Sequence, residues 1–221
     1  MEIINKIQKE ILKLFAKSRL RKKFYWTGGT ALSFIYLKHR RSDDLDFFTN
    51  EEFGFKDIEP FINEIKKELK LEKIDIKKIN GRYEIVISNK HFCKIDFNYY
   101  PYPKLAKPKI YKYIMVDSLK DIAANKTLSL FDRNEPKDLF DLYFIITKRK
   151  IKPKILLKLI ENKFGLRMSE DVFWSEALKS LKQMESLTPY IIRIKNKKAL
   201  LNKIKNFFFE NSSEYLKKFI K

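Results

Sequence analysis

The stretch Gly28–Phe48, GGTALSFIYLKHRRSDDLDFF, decides how this chain is interpreted. It follows the short apolar segment Phe24–Trp26, begins with two glycines and ends in the acidic segment Asp44–Asp46 and two phenylalanines. Apolar residues recur at helical spacing over 31–37, whereas 45–48 has the composition of a strand. We therefore predict a strand, a tight glycine turn, a helix and a second strand.

Two carboxylates lie two residues apart on that second strand. Side chains at i and i+2 of a strand point to the same face, so Asp44 and Asp46 should lie together. Like charges at that distance are costly unless a cation lies between them, and hard oxygen ligands of this kind suit Mg²⁺. Gly28 and Gly29 would let the backbone approach a phosphate at the N-terminus of the following helix, where free N–H groups favour anions. The pattern predicts equipment for phosphoryl or nucleotidyl transfer.

A third carboxylate, Asp96, lies in a strand-like stretch further along the chain. Ile95 and Phe97 alternate with polar residues there, so Asp96 is predicted to face away from the core. If this strand neighbours the first acidic one, Asp96 could complete a two-metal site or accept the proton of an attacking hydroxyl. The alternative is an exposed strand carboxylate without a role.

Lys126 lies on the apolar stripe of a predicted helix at 118–130. A lysine in that position either extends outward to water or points into a polar cleft. Further on, Asp138 and Asp141 lie three residues apart on one helical face, and Lys137 is spaced to pair with Asp141. Surface ion pairs account for this second group without any catalytic role.

Together these fragments resemble the AbiEii-type abortive-infection nucleotidyltransferases, which belong to the DNA polymerase β-like nucleotidyltransferase superfamily. The GGTAL…HRxSxDxDFF skeleton resembles the first motif of that family. The stretch DIAANKTLSLFDRNEPKDLFDLY at 121–143 resembles its downstream motif, a helical lysine followed by R-x₃-KD-x₂-DLY. The resemblance covers 24–50 and 117–144 and extends through 92–99.

The resemblance implies a role for each matching position. The residues that would bind the nucleotide are Gly28, Gly29, Thr30, Arg40 and Lys126. Arg40 would touch phosphate or brace the turn, and Lys126 would contact the triphosphate. Asp44 and Asp46 would hold Mg²⁺, with Asp96 as the candidate third ligand from its place on its strand. Asp141 would orient Lys126 or assist the chemistry.

Members of that family are toxins of toxin–antitoxin pairs, and some transfer nucleotides from an NTP to the 3′ end of tRNA. The resemblance thus implies Mg²⁺-dependent transfer of NMP to a nucleic acid acceptor, with tRNA favoured, in a toxin–antitoxin or phage-defence system with a cognate antitoxin. One alternative is transfer to a small hydroxyl acceptor such as an aminoglycoside. The other is a catalytically silent nucleic-acid-binding module, for which paired carboxylates would have no use.

The net charge indicates where a polyanionic partner would bind. The chain has 221 residues and a formal charge of +20, distributed as +9 over 1–110, −1 over 111–147 and +12 over 148–221. The last third is therefore the favoured surface for nucleic acid, and it argues against a cationic acceptor. A single cysteine, Cys93, excludes a disulfide scaffold, and no apolar run is long enough to span a membrane. We expect a cytoplasmic protein.

The order of elements predicts an α+β fold. Strands and helices alternate before the proline-containing stretch 100–108, and helices follow it, including two predicted at 196–209 and 212–220. We expect a nucleotidyltransferase-type mixed sheet with flanking helices, followed by a helical C-terminal domain. The predicted division is a catalytic domain at 1–110 and a helical domain at 111–221, which supplies Lys126 and Asp141 to the cleft and a basic surface to the acceptor.

Overall fold

The computed structural model describes residues 2–88 and 92–218. The chain forms two compact units, which divide between Ser118 and Leu119. This division lies beyond the predicted 110/111 boundary, because a hairpin at 109–116 belongs to the sheet of the first unit. The first unit is mixed and the second is helical, as the order of elements predicted.

The first unit is built on one mixed sheet. Its elements are α1 (Lys6–Lys17), a 3-10 turn (Arg19–Lys22), β1 (Tyr25–Thr27), α2 (Gly28–Ala31), a π-helical turn (Leu32–Leu37), β2 (Asp44–Thr49), α3 (Phe55–Glu68), β3 (Asp75–Ile79), β4 (Arg82–Ser88), β5 (Phe92–Tyr99), β6 (Lys109–Tyr111) and β7 (Ile114–Val116). The strands lie in the order β3-β4-β5-β2-β1-β7-β6. β2 is parallel to β5 and β1 is parallel to β7, whereas the other neighbours are antiparallel.

One face of this sheet is covered by α1 and α3. Phe15 of α1 stacks on Phe47 of β2 with 4.0 Å between the ring centroids, and Phe61 of α3 packs edge-on against Phe97 of β5. Each of these rings is buried, and burial of such a side chain stabilises a fold by about 1.5–3 kcal/mol. Because side chains alternate along a strand, the residues between them on β2 and β5 face the opposite side of the sheet.

Local sequence sets two of the boundaries in this unit. The side chain of Asn5 accepts a hydrogen bond from the Gln8 backbone N–H at 2.8 Å, and the Gln8 side chain accepts one from the Asn5 N–H at 2.9 Å, which fixes the start of α1. Between β3 and β4, Asn80 and Gly81 adopt φ values of 39° and 76°. Positive φ at both positions is what a two-residue hairpin turn requires, so the turn joins β3 to β4 in antiparallel register.

The second unit contains α4 (Leu119–Asp132), α5 (Pro136–Arg149), α6 (Pro153–Phe164), α7 (Glu170–Ser180), a 3-10 segment (Leu181–Leu187) and α8 (Lys197–Lys217). The predicted break between 209 and 212 is wrong, because one helix runs without interruption from Lys197 to Lys217; within it the Asn211 side chain donates to the Phe207 carbonyl at 2.7 Å. The last residues of the predicted helix at 212–220 lie outside the described part of the chain. Within 2–88 and 92–218, no helix combines the length and the apolar character that crossing a bilayer demands.

Candidate active site

The glycine turn after β1 lies directly against the acidic strand. Gly28 has φ +76°, and a Cβ atom there would lie 1.8 Å from Oδ2 of Asp46. A Cβ atom on Gly29 would lie 2.6 Å from Nη2 of Arg40. Gly28 therefore requires glycine for its backbone conformation as well as for space, whereas a side chain at Gly29 would displace the end of the Arg40 side chain. The backbone of the glycine turn thus lies beside the Asp46 carboxylate and the Arg40 guanidinium.

Hydrogen bonds fix the turn to the strand that follows it. The Thr30 hydroxyl donates to the backbone carbonyl of Asp44, and the Ser33 hydroxyl donates to the carbonyl of Arg40. Arg40 is only 3% exposed, and its Nη1 donates to the Arg41 carbonyl at 3.0 Å. Of the two roles expected for Arg40, these contacts support that of a brace for the turn, which stays a prediction. Binding of phosphate by Thr30 or Arg40 stays a prediction.

The residue before the glycines is anchored by a buried carboxylate that the sequence did not single out. Thr27 donates from its hydroxyl to Oδ2 of Asp117 at 2.8 Å, and Lys104 donates to Oδ1 of the same residue at 2.7 Å. The Tyr36 hydroxyl donates to the Asp117 backbone carbonyl at 2.7 Å. Since Asp117 is fully buried, this cluster holds the end of β1 in a defined position.

The carboxylates of β2 and β5 lie on one face of the sheet. In the parallel pairing of these strands, Asp44 lies opposite Lys94 and Asp46 lies opposite Asp96. Asp44 and Asp46 are half-buried and point away from the core, as the spacing predicted. Asp96 is only 4% exposed, so its interpretation as an exposed strand carboxylate is wrong. On the other side of β5, Glu84 of β4 lies opposite Asp96 and extends the row across three strands.

Lys94 lies among these carboxylates. Its Nζ is 2.9 Å from Oδ2 of Asp96, 3.8 Å from Oε2 of Glu84 and 4.0 Å from Oδ1 of Asp44. Burial alone would lower the pKa of Lys94, but the hydrogen bond to Asp96 and the charges of Asp44, Asp96 and Asp46 raise it. The ammonium is therefore charged at neutral pH and supplies positive charge to the acidic face.

The acidic face offers hard oxygen donors to a cation. Burial raises the pKa of Asp96, and the contact with Lys94 opposes that rise. Oδ1 of Asp96 is buried and has no hydrogen-bond partner, so it is an unused acceptor beside Asp46. This donor set fits a divalent ion such as Mg²⁺. Over residues 2–88 and 92–218, however, no three carboxylate, imidazole or thiol groups are drawn together into a complete ligand set.

In the helical unit, Lys126 is held by two buried carboxylates. Its Nζ is 2.7 Å from Oδ1 of Asp138 and 2.9 Å from Oδ2 of Asp141. Both aspartates are fully buried, and Lys126 is 6% exposed. The lysine thus does not extend outward to water along the helix. The predicted contact between Asp141 and Lys126 is confirmed, while a role for either residue toward a nucleotide stays a prediction.

Asp138 was noted in the sequence as the neighbour of Asp141 on one helical face, but its contact with Lys126 was not predicted. Burial would raise the pKa of Asp138, but the ion pairs with Lys126 and Arg133 lower it below the usual range. Arg133 donates to both of its oxygens, at 2.8 and 3.1 Å. The expected pair between Lys137 and Asp141 is wrong, because Lys137 bonds Glu135 at 2.9 Å and Asp141 faces the interior. The interpretation of Lys137, Asp138 and Asp141 as surface ion pairs is therefore also wrong, because both aspartates are buried.

Comparison with known proteins identifies the family. The chain is 29% identical over 224 residues to an uncharacterized protein of Aquifex aeolicus (strain VF5), covering 98% of this chain and 99% of that one. Its fold is similar to JHP933 from Helicobacter pylori, with a TM-score of 0.62, 20% identity and coverage of 98% and 96% of the two chains. It is also similar to MenT4, a nucleotidyltransferase toxin from Mycobacterium tuberculosis H37Rv, with a TM-score of 0.53, 15% identity and coverage of 91% and 80%. The family model for the nucleotidyl transferase AbiEii toxin of type IV toxin–antitoxin systems matches residues 10–189. The chain therefore belongs to the AbiEii toxin family and is a nucleotidyltransferase.

Proposed function

We propose that this protein transfers NMP from an NTP to a hydroxyl group of a nucleic acid, with the 3′ end of tRNA as the favoured acceptor. The observation that carries the proposal is the contact between the glycine turn and the acidic strand, where a Cβ on Gly28 would meet the Asp46 carboxylate. A triphosphate bound by this turn would have its phosphates beside the carboxylates of Asp44 and Asp46. That juxtaposition is what nucleotidyl transfer requires.

A divalent metal ion is part of the proposal. Nucleotidyltransferases of this kind generally use divalent metals, and we propose Mg²⁺, with Asp44 and Asp46 as ligands and Asp96 as the third carboxylate of that face. When bound, the ion polarises the reacting phosphate and neutralises charge on the leaving group. The unused Oδ1 atom of Asp96 supports this assignment, because a buried acceptor without a partner is costly unless a ligand satisfies it.

The residues of the chain then have separate tasks. The acceptor oxygen forms a bond to the α-phosphorus while the bond from that phosphorus to the β-phosphate oxygen breaks, and pyrophosphate leaves. Backbone N–H groups at Gly28 and Gly29 bind phosphate oxygens through the start of α2. Asp96 serves as a metal ligand or takes the proton from the acceptor hydroxyl. Lys126, which pairs with Asp138 and Asp141, is assigned the contact with the triphosphate that the resemblance implies.

The acceptor is assigned to a basic surface of the helical unit. Lys150, Lys152 and Lys154 are exposed, and none of the three forms a salt bridge within the part of the chain that the structure describes. Exposed lysines in a region of net charge +12 attract phosphate backbones through release of counterions. We further propose a cognate antitoxin as partner and a cytoplasmic role in a toxin–antitoxin or phage-defence system. The family itself implies the antitoxin and the NTP.

The test is label transfer from each α-labelled NTP in turn to total tRNA, with Mg²⁺ or with EDTA. The wild type is expected to label tRNA with at least one nucleotide, only when the metal is present. Asp46→Asn should abolish labelling while the urea midpoint stays equal or rises, because the substitution removes a like-charge contact. Asp75→Asn makes the same chemical change at an exposed residue of β3 and should label normally.

Each failure has a distinct meaning. No labelling of tRNA by folded wild-type protein, together with labelling of an aminoglycoside, would move the acceptor to the small-molecule class. No labelling of any acceptor with any nucleotide would contradict the proposed function. Full activity of Asp46→Asn would show that the metal assignment is wrong, even if the wild type is active.

A further inference from the structure

The acidic face of the sheet carries its own cation. Three strands contribute its charged groups: Glu84 from β4, Lys94 and Asp96 from β5, and Asp44 and Asp46 from β2. The Lys94 ammonium contacts Asp96 at 2.9 Å and lies within 4.0 Å of both Glu84 and Asp44. One lysine side chain thus reaches carboxylates on all three strands.

The carboxylates of this face still have capacity for a further cation. Glu84 shares its charge between Lys94 and, through a 3.6 Å contact, Arg82. Asp96 uses one oxygen for Lys94 and keeps its other oxygen buried without a hydrogen-bond partner. Carboxylates on neighbouring positions of one sheet face repel one another unless cations lie among them. A divalent ion would satisfy the buried oxygen and reduce the repulsion.

The Lys94 ammonium and a divalent ion would compete for the same carboxylate oxygens. Oδ2 of Asp96 contacts the Lys94 ammonium, and a metal ion bound to Asp96 and Asp46 would lie close to that positive charge. The Lys94 side chain is 25% exposed and flexible, so it has a route out toward water.

We propose that Lys94 is a displaceable counter-ion, which partly offsets the charges of Asp96, Glu84 and Asp44 when no divalent ion is bound and competes with that ion for Asp96. The proposal rests on the metal site of the proposed function. It makes Lys94 a positioning residue, because it acts on the carboxylates and not on the substrate. As a consequence, Lys94 stabilises the acidic face when no divalent ion is bound, and the protein binds free metal ions weakly.

The test measures metal binding directly, without nucleotide or turnover. Mn²⁺ is titrated into the full chain at fixed pH and ionic strength, and free Mn²⁺ is read from its electron paramagnetic resonance signal. Lys94→Met should bind Mn²⁺ about tenfold more tightly than the wild type, since a unit positive charge 2.9 Å from Asp96, 3.8 Å from Glu84 and 4.0 Å from Asp44 is gone. In EDTA the same variant should melt at a lower temperature. Lys66→Met removes a charge from an exposed residue of α3 and should change neither quantity.

Two further variants keep the inference open to refutation. Lys94→Gln retains a hydrogen-bond donor for Asp96 without the charge, so it should also bind Mn²⁺ about tenfold more tightly than the wild type. It replaces Lys94→Met in the test if the methionine variant folds poorly. Lys94→Arg retains the charge and should bind like the wild type. Unchanged or weaker Mn²⁺ binding by Lys94→Gln, or no binding by any variant, overturns the inference. If Mn²⁺ binding follows the expected order while no acceptor is ever labelled, the proposed function fails and the role of Lys94 stands.

Discussion

Replacement of Lys126 by methionine tests the central ion pair of the helical unit. Methionine keeps the length of the apolar stem and removes the ammonium that lies 2.7 Å from Asp138 and 2.9 Å from Asp141. Both carboxylates are fully buried, so water cannot replace the missing charge. We therefore expect a loss of stability that does not depend on catalysis.

The size of the loss follows from burial. Removal of one partner of a buried ion pair typically costs about 3–5 kcal/mol, because the remaining charge is left without compensation. Arg133 still donates to Asp138 in the variant, which places the expected loss near the lower end, at about 3 kcal/mol. For a protein of this size that corresponds to a fall in Tm of roughly 10 °C. Lys120→Met, at an exposed position of α4, should change the free energy of unfolding by less than about 0.5 kcal/mol.

The pH dependence gives the same reasoning a second test. The pKa of Asp138 is lowered in the folded protein, so the stability it contributes is present above its unfolded pKa of about 4 and is lost as pH falls through the folded value. Without Lys126 that pKa is less depressed, and less stability is lost in acid. The difference in unfolding free energy between wild type and Lys126→Met, from urea titrations followed by circular dichroism, should therefore narrow below about pH 4. A difference that is constant from pH 7 to pH 3, or a variant as stable as Lys120→Met, would refute the argument.

Three other substitutions or treatments have defined outcomes. Gly28→Ala places a side chain against Asp46 at a φ of +76°, so it should lower the free energy of unfolding by about 1–3 kcal/mol and abolish labelling of the acceptor. Wild-type stability together with wild-type labelling would contradict the geometry of the turn. Burial, with the nearby charges of Asp44 and Asp43, raises the pKa of the Cys93 thiol, so a thiol reagent such as DTNB should react with it in urea and not in the native protein; rapid native labelling would show that β5 opens. The combined change of Lys150, Lys152 and Lys154 to glutamine should make tRNA affinity less dependent on salt. The slope of log affinity against log salt concentration should fall in magnitude by roughly 0.7–0.9 for each phosphate that the protein no longer neutralises, and an unchanged slope would place the acceptor elsewhere.

The elements with a clear apolar period could be predicted from the sequence. The alternation of Leu45 and Phe47 with two aspartates identified β2 and its acidic face, and Asn80-Gly81 identified the hairpin between β3 and β4. The pairing of β2 with β5 could not be predicted in the same way. The spacing within a strand determines which residues share a face, but it does not determine which distant strand lies beside it. The register that places Asp46 beside Asp96 is therefore information from the fold.

Burial of charge was the other point at which sequence patterns were insufficient. The spacing of Lys137 and Asp141 is the same on an exposed helix and on a buried one, so it suggested a surface pair between these two residues. In the structure Asp141 pairs in the interior with Lys126 instead. What decides the outcome is that α5 presents Asp138 and Asp141 to Lys126 on α4. The sequence does contain a signal for this, since Lys126 lies on an apolar stripe and a lysine there needs partners.

Lys94 and Lys126 show how the surroundings of a lysine decide what it can do. Each ammonium makes its closest contact with an aspartate, at 2.9 Å and 2.7 Å respectively, and lies near at least one further carboxylate. The Lys126 side chain is 7% exposed, whereas that of Lys94 is 25% exposed. An ion pair sealed from water is broken only at a large cost, while one that opens to solvent can exchange its cation at a small cost. The two proposals use this difference: in the proposed function Lys126 is a fixed charge for the substrate phosphate, and in the further inference Lys94 is a charge that gives way when a metal ion binds. The difference in exposure, not the shared chemistry of the two side chains, carries that distinction.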